Sequence, residues 1–74
     1  MDQKRIGAFI ARCRKEKNLT QMQLAELLGI TNQAVSKWET GRGMPDVSLL
    51  QPLCDVLGIS LNELFSGEHI SAEE

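Results

Sequence analysis

A chain of 74 residues accommodates one small domain, and 42% hydrophobic with 24% charged residues is ordinary for a globular protein. No apolar run approaches the roughly 18 residues of a membrane span, and the N-terminus lacks the apolar core of a secretory signal, so we expect a soluble, cytoplasmic protein without membrane contact. The net charge of −2 is polarised, because residues 1–42 hold all eight basic residues and four acidic ones, whereas residues 43–74 hold six acidic residues and no basic one.

The first predicted helix runs from about Lys4 to Lys17. Apolar residues at i, i+3, i+4 and i+7 predict its buried stripe: Ile6, Phe9, Ile10 and Cys13. Asn18 is a suitable stop, because asparagine tolerates the left-handed backbone conformation.

Residues 20–41 predict two short helices bent around a glycine. Thr20 and Gln23 have the spacing of a capping box, which begins a helix at Gln21. Gly29 follows where a residue in the left-handed conformation would end that helix.

The second helix of this pair carries polar residues on its outer face. Thr31 can cap it, and Val35 and Trp38 share the inward face. The outward positions are polar: Asn32, Gln33, Ser36 and Lys37. A pair of helices locked by apolar residues, with polar side chains projecting from the second, is the layout of a DNA-reading helix-turn-helix.

The fourth predicted helix has an apolar face formed by Leu50, Leu53, Cys54 and Leu57. Its start depends on Pro52. With Asp46 as cap, the proline would lie six residues into the helix and remove an internal hydrogen bond, whereas with Ser48 as cap and Gln51 completing a capping box it lies near the first turn. We favour the later start.

Gly58 should end the fourth helix, and Ser60 with Glu63 predicts a capping box for a short fifth helix. We expect this helix to bury its apolar residues, Leu61, Leu64 and Phe65. No strand is predicted, so the fold class is all-α: a compact five-helix domain over residues 1–66, followed by a short acidic, flexible tail at residues 67–74.

Cys13 and Cys54 fall on apolar faces of two helices, and His69 lies in the tail, so the sequence shows no metal-ligand spacing. We expect buried free thiols; a disulfide between the two helices is the alternative, disfavoured in a reducing compartment. There is no nucleophile with a paired base and no phosphate-binding loop. The sequence therefore predicts neither an enzyme nor a cofactor, metal or small-molecule site.

The chain resembles the helix-turn-helix domain of the lambda-repressor and Cro-like family of bacterial and phage regulators, also called the XRE family. The signature residues are Thr20-Gln21, Leu24-Ala25, Gly29, Ala34-Val35-Ser36, Trp38-Glu39 and Gly41. The resemblance extends through Pro45-Asp46 and Ser60-Leu61-Asn62-Glu63-Leu64 and covers roughly residues 4 to 66. It implies a lambda-repressor-like fold in which helices 2 and 3 form the DNA-reading motif.

A helix in the major groove presents its N-terminal end and one exposed stripe to base edges. We therefore expect base contacts from five residues, which also match the family's base-contacting stretch: Thr31, Asn32, Gln33, Ser36 and Lys37. Asparagine and glutamine can pair with adenine, and lysine can donate to guanine or to a phosphate. The alternative is that these side chains are ordinary solvated polar residues, which are common on any exposed helix.

Phosphate contacts are expected from Gln21, Thr40 and Arg42. Gln21 begins a helix, where free amides suit an anion, and the resemblance assigns backbone contacts to all three positions; for Arg42 a solvated loop charge is the alternative. The resemblance also implies a structural ion pair between Arg14 and Glu39. The positive balance of residues 1–42 agrees with a phosphate-facing surface, although solvated helix surfaces of mixed sign would give the same balance.

These expectations combine into a sequence-specific transcriptional regulator, and more specifically a repressor, because repression needs only occupancy of an operator. By resemblance, it would bind the major groove of double-stranded DNA as a homodimer on an inverted repeat. We expect the dimer surface at the loop before helix four and at helix five, with Leu49, Val56 or Ile59 partly exposed; the alternative is that the same residues complete the core. The alternative is an antitoxin-like module that binds a partner protein.

Overall fold

The computed structural model describes residues 2–70, and over that range the chain forms five α-helices and no strand. The helices are α1 (Gln3–Glu16), α2 (Gln21–Leu28), α3 (Asn32–Glu39), α4 (Val47–Leu57) and α5 (Leu61–Ser66). The predicted all-α class is confirmed. Across the described helices, none is long and apolar enough to cross a membrane.

Side-chain caps begin the helices at the predicted places. Thr20, Thr31 and Ser60 each accept a hydrogen bond from the backbone N–H three residues further on. Gln23 and Glu63 return a bond to the cap residue's own N–H, which completes both predicted capping boxes. Because these bonds satisfy amides that would otherwise be unpaired, they fix where α2, α3 and α5 start.

The turns after α1 and α2 depend on a left-handed backbone. Asn18 has a φ of 60° after α1, and Gly29 has a φ of 70° after α2. Both stops are as predicted. The turn at Gly29 lets α3 fold back against α2 after only three intervening residues.

The predicted start of α4 was wrong. Asp46 is the N-cap, and its carboxylate accepts bonds from the backbone N–H (3.1 Å) and the hydroxyl (2.7 Å) of Ser48, which lower the pKa of Asp46 below its ordinary value. Pro52 therefore lies inside the helix and cannot donate to the carbonyl of Ser48. The cap bonds and the burial of one face of the helix offset that missing bond; the buried residues are Leu53, Cys54 and Leu57.

All five helices contribute to one hydrophobic core, in which α1 packs on α3 and α5, and α2 packs on α3 and α4. The stripe predicted for α1 is buried as expected, and so are Val35 and Trp38. On α5 the expectation was wrong for two residues, because Leu61 and Phe65 are 36% and 38% exposed and Leu64 alone is fully buried. A six-residue helix has only one narrow face toward the core, and Ile59, just before it, takes up the remaining space.

Gly7 sets the closeness of α1 to α3. It is buried, and a Cβ placed on it would collide with the carbonyl oxygen of Trp38. The two helix backbones can therefore approach each other only because this residue lacks a side chain. This contact brings α1 directly behind α3.

The chain after α5 contacts α1. Arg5 donates from Nε to the carbonyl of Ser66 (3.0 Å) and from Nη2 to the carboxylate of Glu68 (2.9 Å). The tail expected at residues 67–74 thus lies against the domain over residues 67–70, and its last four residues fall outside the described range. The domain boundary after residue 66 stays a prediction.

Candidate nucleic-acid interface

The outer face of α3 carries the side chains that the sequence marked as base-reading candidates. Thr31, Asn32, Gln33 and Lys37 are exposed, and Ser36 is half-buried. Val35 and Trp38 are buried on the opposite face. The structure thus brings the five candidates together at the N-terminal end and along one side of one helix; their contact with bases stays a prediction.

An open groove runs between α3 and the loop that follows it. Its lining residues are Thr31, Gln33, Ala34, Lys37, Trp38, Gly43 and Met44. The aliphatic stem of Lys37 lies beside Gly43, and the residue as a whole is exposed.

A buried ion pair ties the end of α3 to α1. Arg14 donates to Glu39 from Nε (2.7 Å) and from Nη2 (3.0 Å), and from Nη1 to the carbonyl of Leu19 (2.7 Å). The side chains are only 10% and 6% exposed. The hydrogen bonds to Glu39 raise the pKa of Arg14 above its ordinary value, and the two-pronged contact fixes the angle of α3.

Gln21 joins this network, which the sequence did not suggest. Its Nε2 donates to Oε1 of Glu39 at 3.0 Å. The bond uses one of the two amide hydrogens, and the second, with the backbone N–H at the start of α2, remains available to an external acceptor. Gln21 is thus positioned by the same carboxylate that holds Arg14.

The loop after α3 presents Arg42 at its surface. The hydroxyl of Thr40 donates to the carbonyl of Ser36 (2.9 Å) and accepts a bond from Nε of Arg42 (3.2 Å). Because the hydroxyl proton of Thr40 is engaged inside the protein, this residue is better suited to position Arg42 than to donate to a phosphate. Its phosphate contact stays a prediction.

Lys4, which no sequence pattern indicated as a site residue, lies against Gly41. Gly41 has a φ of 76°, and a side chain there would collide with the stem of Lys4. The exposed start of α1 therefore adds a second positive charge next to the loop that carries Arg42. Only the long-range packing of α1 on that loop shows this neighbourhood.

The two cysteines are buried free thiols, as expected, and burial raises the pKa of both, that of Cys13 to about 11. Cys13 nevertheless has potential metal ligands nearby. Within residues 2–70, Cys13, Glu16 and His69 form a group whose donor atoms could share one ion. The sequence predicted no metal site, because Glu16 and His69 are 53 positions apart and show no metal-ligand spacing.

Comparison with known proteins agrees with this geometry. A family model described as helix-turn-helix matches residues 10–64. An SPbeta prophage-derived uncharacterized HTH-type transcriptional regulator of Bacillus subtilis, YonR, is 38% identical over 64 residues, which are 86% of this chain and 59% of that protein. The ImmF control region 10 kDa protein of Bacillus phage phi105 is 35% identical over 74 residues, which are 100% of this chain and 82% of that protein.

A solved structure of similar fold is the restriction-modification controller protein C.AhdI from Aeromonas hydrophila. It has a TM-score of 0.78 and 30% sequence identity, and the match covers 86% of this chain and 97% of that chain. The chain spans only part of several curated relatives, between 28% and 59% of the first three.

Proposed function

The chain belongs to the helix-turn-helix family of lambda-repressor and Cro-like regulators, and we propose that it is a sequence-specific DNA-binding transcriptional regulator that represses by occupying its operator. One observation carries the proposal. The polar outer face of α3 is exposed, while the same helix is fixed from behind by the buried pair of Arg14 and Glu39. A rigid helix with an exposed polar stripe is what reading of the major groove requires.

Base reading is assigned to the start and the open side of α3. The amides of Asn32 and Gln33 can each form two hydrogen bonds with adenine, and Lys37, four residues after Gln33, follows the same groove toward a guanine or a phosphate. Ser36, which is half-buried, allows the helix to approach closely. Thr31 caps α3 through its hydroxyl oxygen and keeps its hydroxyl proton for the DNA.

Phosphate binding is assigned to the edges of this surface. Gln21 supplies the free amide hydrogen and the backbone N–H at the start of α2, and Arg42 supplies charge from the loop after α3. Lys4 adds charge beside that loop. These contacts set the register of the protein on the duplex without reading sequence.

We further propose that the protein binds as a homodimer to an inverted repeat. Of the three residues expected there, Leu49 and Val56 are partly exposed while they also pack against the core, whereas Ile59 is only 8% exposed and completes the core. The exposed apolar residues of the same region are instead Val47 at the start of α4, 82% exposed, and Leu61 and Phe65 on α5. Leu61 and Phe65 are four residues apart and share one helix face.

The test is selection of bound duplexes from a random library at near-physiological salt. Enrichment of an inverted repeat with half-sites about one helical turn apart is the expected result. Enrichment of a single half-site would contradict the dimer but keep the sequence-specific function. No enrichment would contradict the function itself and favour the antitoxin-like module, for which the described structure gives no specific support.

A further inference from the structure

Three side chains able to bind a metal ion meet where the chain after α5 lies against α1. Nε2 of His69 is 3.2 Å from Oε1 of Glu16 and 3.9 Å from Sγ of Cys13, and all three donor atoms lie within 4.8 Å of one another. Cys13 and Glu16 are three residues apart and therefore neighbours on one face of α1. His69 reaches them from the other end of the fold.

The imidazole of His69 is oriented with Nε2 toward this pair. Its other nitrogen, Nδ1, is 3.6 Å from Oε2 of Glu63, and the ring packs edge-on against Phe9 with centroids 5.0 Å apart. Glu63 is itself fixed, because its carboxylate accepts the backbone N–H groups of Ser60 and Ile70, both at 2.9 Å. A carboxylate behind the second ring nitrogen is a common way to orient a metal-binding histidine.

The donor set of thiolate, imidazole and carboxylate is one that suits zinc. A tetrahedral ion with bonds of about 2.3 Å to sulfur and about 2.0–2.1 Å to nitrogen and oxygen holds its ligand atoms roughly 3.3–3.6 Å apart. The separations of 3.2 and 3.9 Å require shifts of a few tenths of an ångström, and the separation between Sγ of Cys13 and the Glu16 oxygen, which is at most 4.8 Å, requires a shift of up to about 1.2 Å. Such shifts are easy for Glu16 and His69, whose side chains are about half exposed, and the solvent side gives access to the ion.

We propose that Cys13, Glu16 and His69 bind one zinc ion, with a water molecule as the fourth ligand. On binding, the zinc–sulfur bond replaces the S–H bond of Cys13 and the proton passes to the buffer. The ion would tie residue 69 to α1 and so add to the stability of the domain. None of the candidate DNA-contacting residues takes part, so this inference is independent of the proposed function.

The test is titration of the full chain with zinc sulfate in a non-thiol reductant, followed by calorimetry and thermal melting. We expect one zinc per chain and a Tm that rises with zinc concentration. Cobalt(II), used as a probe in place of zinc, should show the charge-transfer absorption of a cobalt–thiolate bond. Replacing Cys13 with serine or His69 with phenylalanine should weaken zinc binding at least about tenfold.

The variants are chosen so that folding and binding are separable. His69→Phe keeps a ring against Phe9 at an exposed position, so it serves even if Cys13→Ser impairs folding. Cys54→Ser removes the other buried thiol and should leave zinc binding unchanged. Equal zinc binding by wild type and His69→Phe, or no binding by the folded wild type at equimolar micromolar zinc, would overturn the proposal.

Discussion

At the scale of single residues, the surface of α3 separates side chains that hold the protein together from those that face outward. The hydroxyl of Thr40 donates within the turn after α3, and that of Thr31 accepts the capping bond while its proton stays free. Gln33 and Lys37 are exposed beside the groove. Recognition of the DNA sequence should therefore depend most on the amide of Gln33. Nonspecific affinity for DNA should depend on charges such as that of Arg42.

Replacing Gln33 with alanine should cost about 1–3 kcal/mol of binding at the preferred site, because a bidentate pair with a base is lost. The cost on random DNA should be much smaller. Fluorescence anisotropy with both duplexes measures the difference, and Gln51→Ala, at an exposed position on α4, is the matched control. Equal losses on both duplexes would exclude a base-reading role for Gln33.

Replacing Arg42 with alanine should weaken binding to specific and random DNA alike, because a phosphate contact carries no sequence information. The slope of log K against log salt should fall by about one unit. The control is Lys17→Ala, which removes an equal charge beside Gly58 and should leave the slope unchanged. An unaltered slope for the Arg42 variant would mean that this charge is only solvated.

At the scale of helices, two contacts place α3 relative to α1. Gly7 allows the backbones to touch at Trp38. Arg14, about two turns further along α1, fixes the end of α3 through its pair with Glu39. The contact at Gly7 depends on the absence of a side chain, and the contact between Arg14 and Glu39 depends on charge. Separate substitutions can remove each contact.

The Gly7→Ala variant tests the close contact between α1 and α3 against the effect of helix propensity. On propensity alone alanine would stabilise α1 by about 0.5–1 kcal/mol, but its methyl group would collide with the carbonyl of Trp38. We expect a net loss of about 1–3 kcal/mol in the free energy of unfolding, as for other overpacked sites. Urea denaturation measures this free energy. Ala8→Gly, at an exposed position of the same helix, measures the effect of helix propensity alone. A stabilised Gly7→Ala protein would show that the helices can move apart freely.

Glu39→Ala should destabilise the domain by about 3–5 kcal/mol, because it leaves the guanidinium of Arg14 buried without its partner. The double variant Arg14→Met, Glu39→Leu should lose much less, since neither charge remains to be desolvated. Chemical denaturation of the three proteins tests this. A double variant no more stable than Glu39→Ala would mean that the network matters through the bonds to Leu19 and Gln21 instead.

At the scale of the whole molecule, local patterns predicted features that depend on neighbouring residues and missed those that depend on distant ones. The pair of Arg14 and Glu39, 25 positions apart, was expected only from the family resemblance. Capping boxes and the stop at Gly29 are local, so their spacing suffices. The bond from Gln21 to Glu39 spans 18 residues and the approach of His69 to Cys13 spans 56, and no local pattern records either. The predicted start of α4 was wrong because local rules overstated the free-energy cost of Pro52 inside the helix.

The candidate interface follows the same division. The outward face of α3 could be predicted, because helical periodicity and the burial of Trp38 together leave its polar residues outside. The exposure of Leu61 and Phe65 could not, because it depends on how little of a short helix the core can cover. These exposed residues lie on the dimer surface that we propose.

Val47→Gln combined with Phe65→Gln should leave the fold intact, since both positions are exposed, but should weaken the proposed dimer by removing apolar contact area. Binding to a full inverted repeat should then fall toward the affinity for a single half-site, because the two recognition helices no longer bind as one unit. Sedimentation with full and half-site duplexes measures both effects. The control is Leu27→Gln, which changes an apolar residue that is 60% exposed on α2. If two copies of the double variant still bind one full inverted repeat with unchanged affinity, the dimer contact lies elsewhere on the molecule.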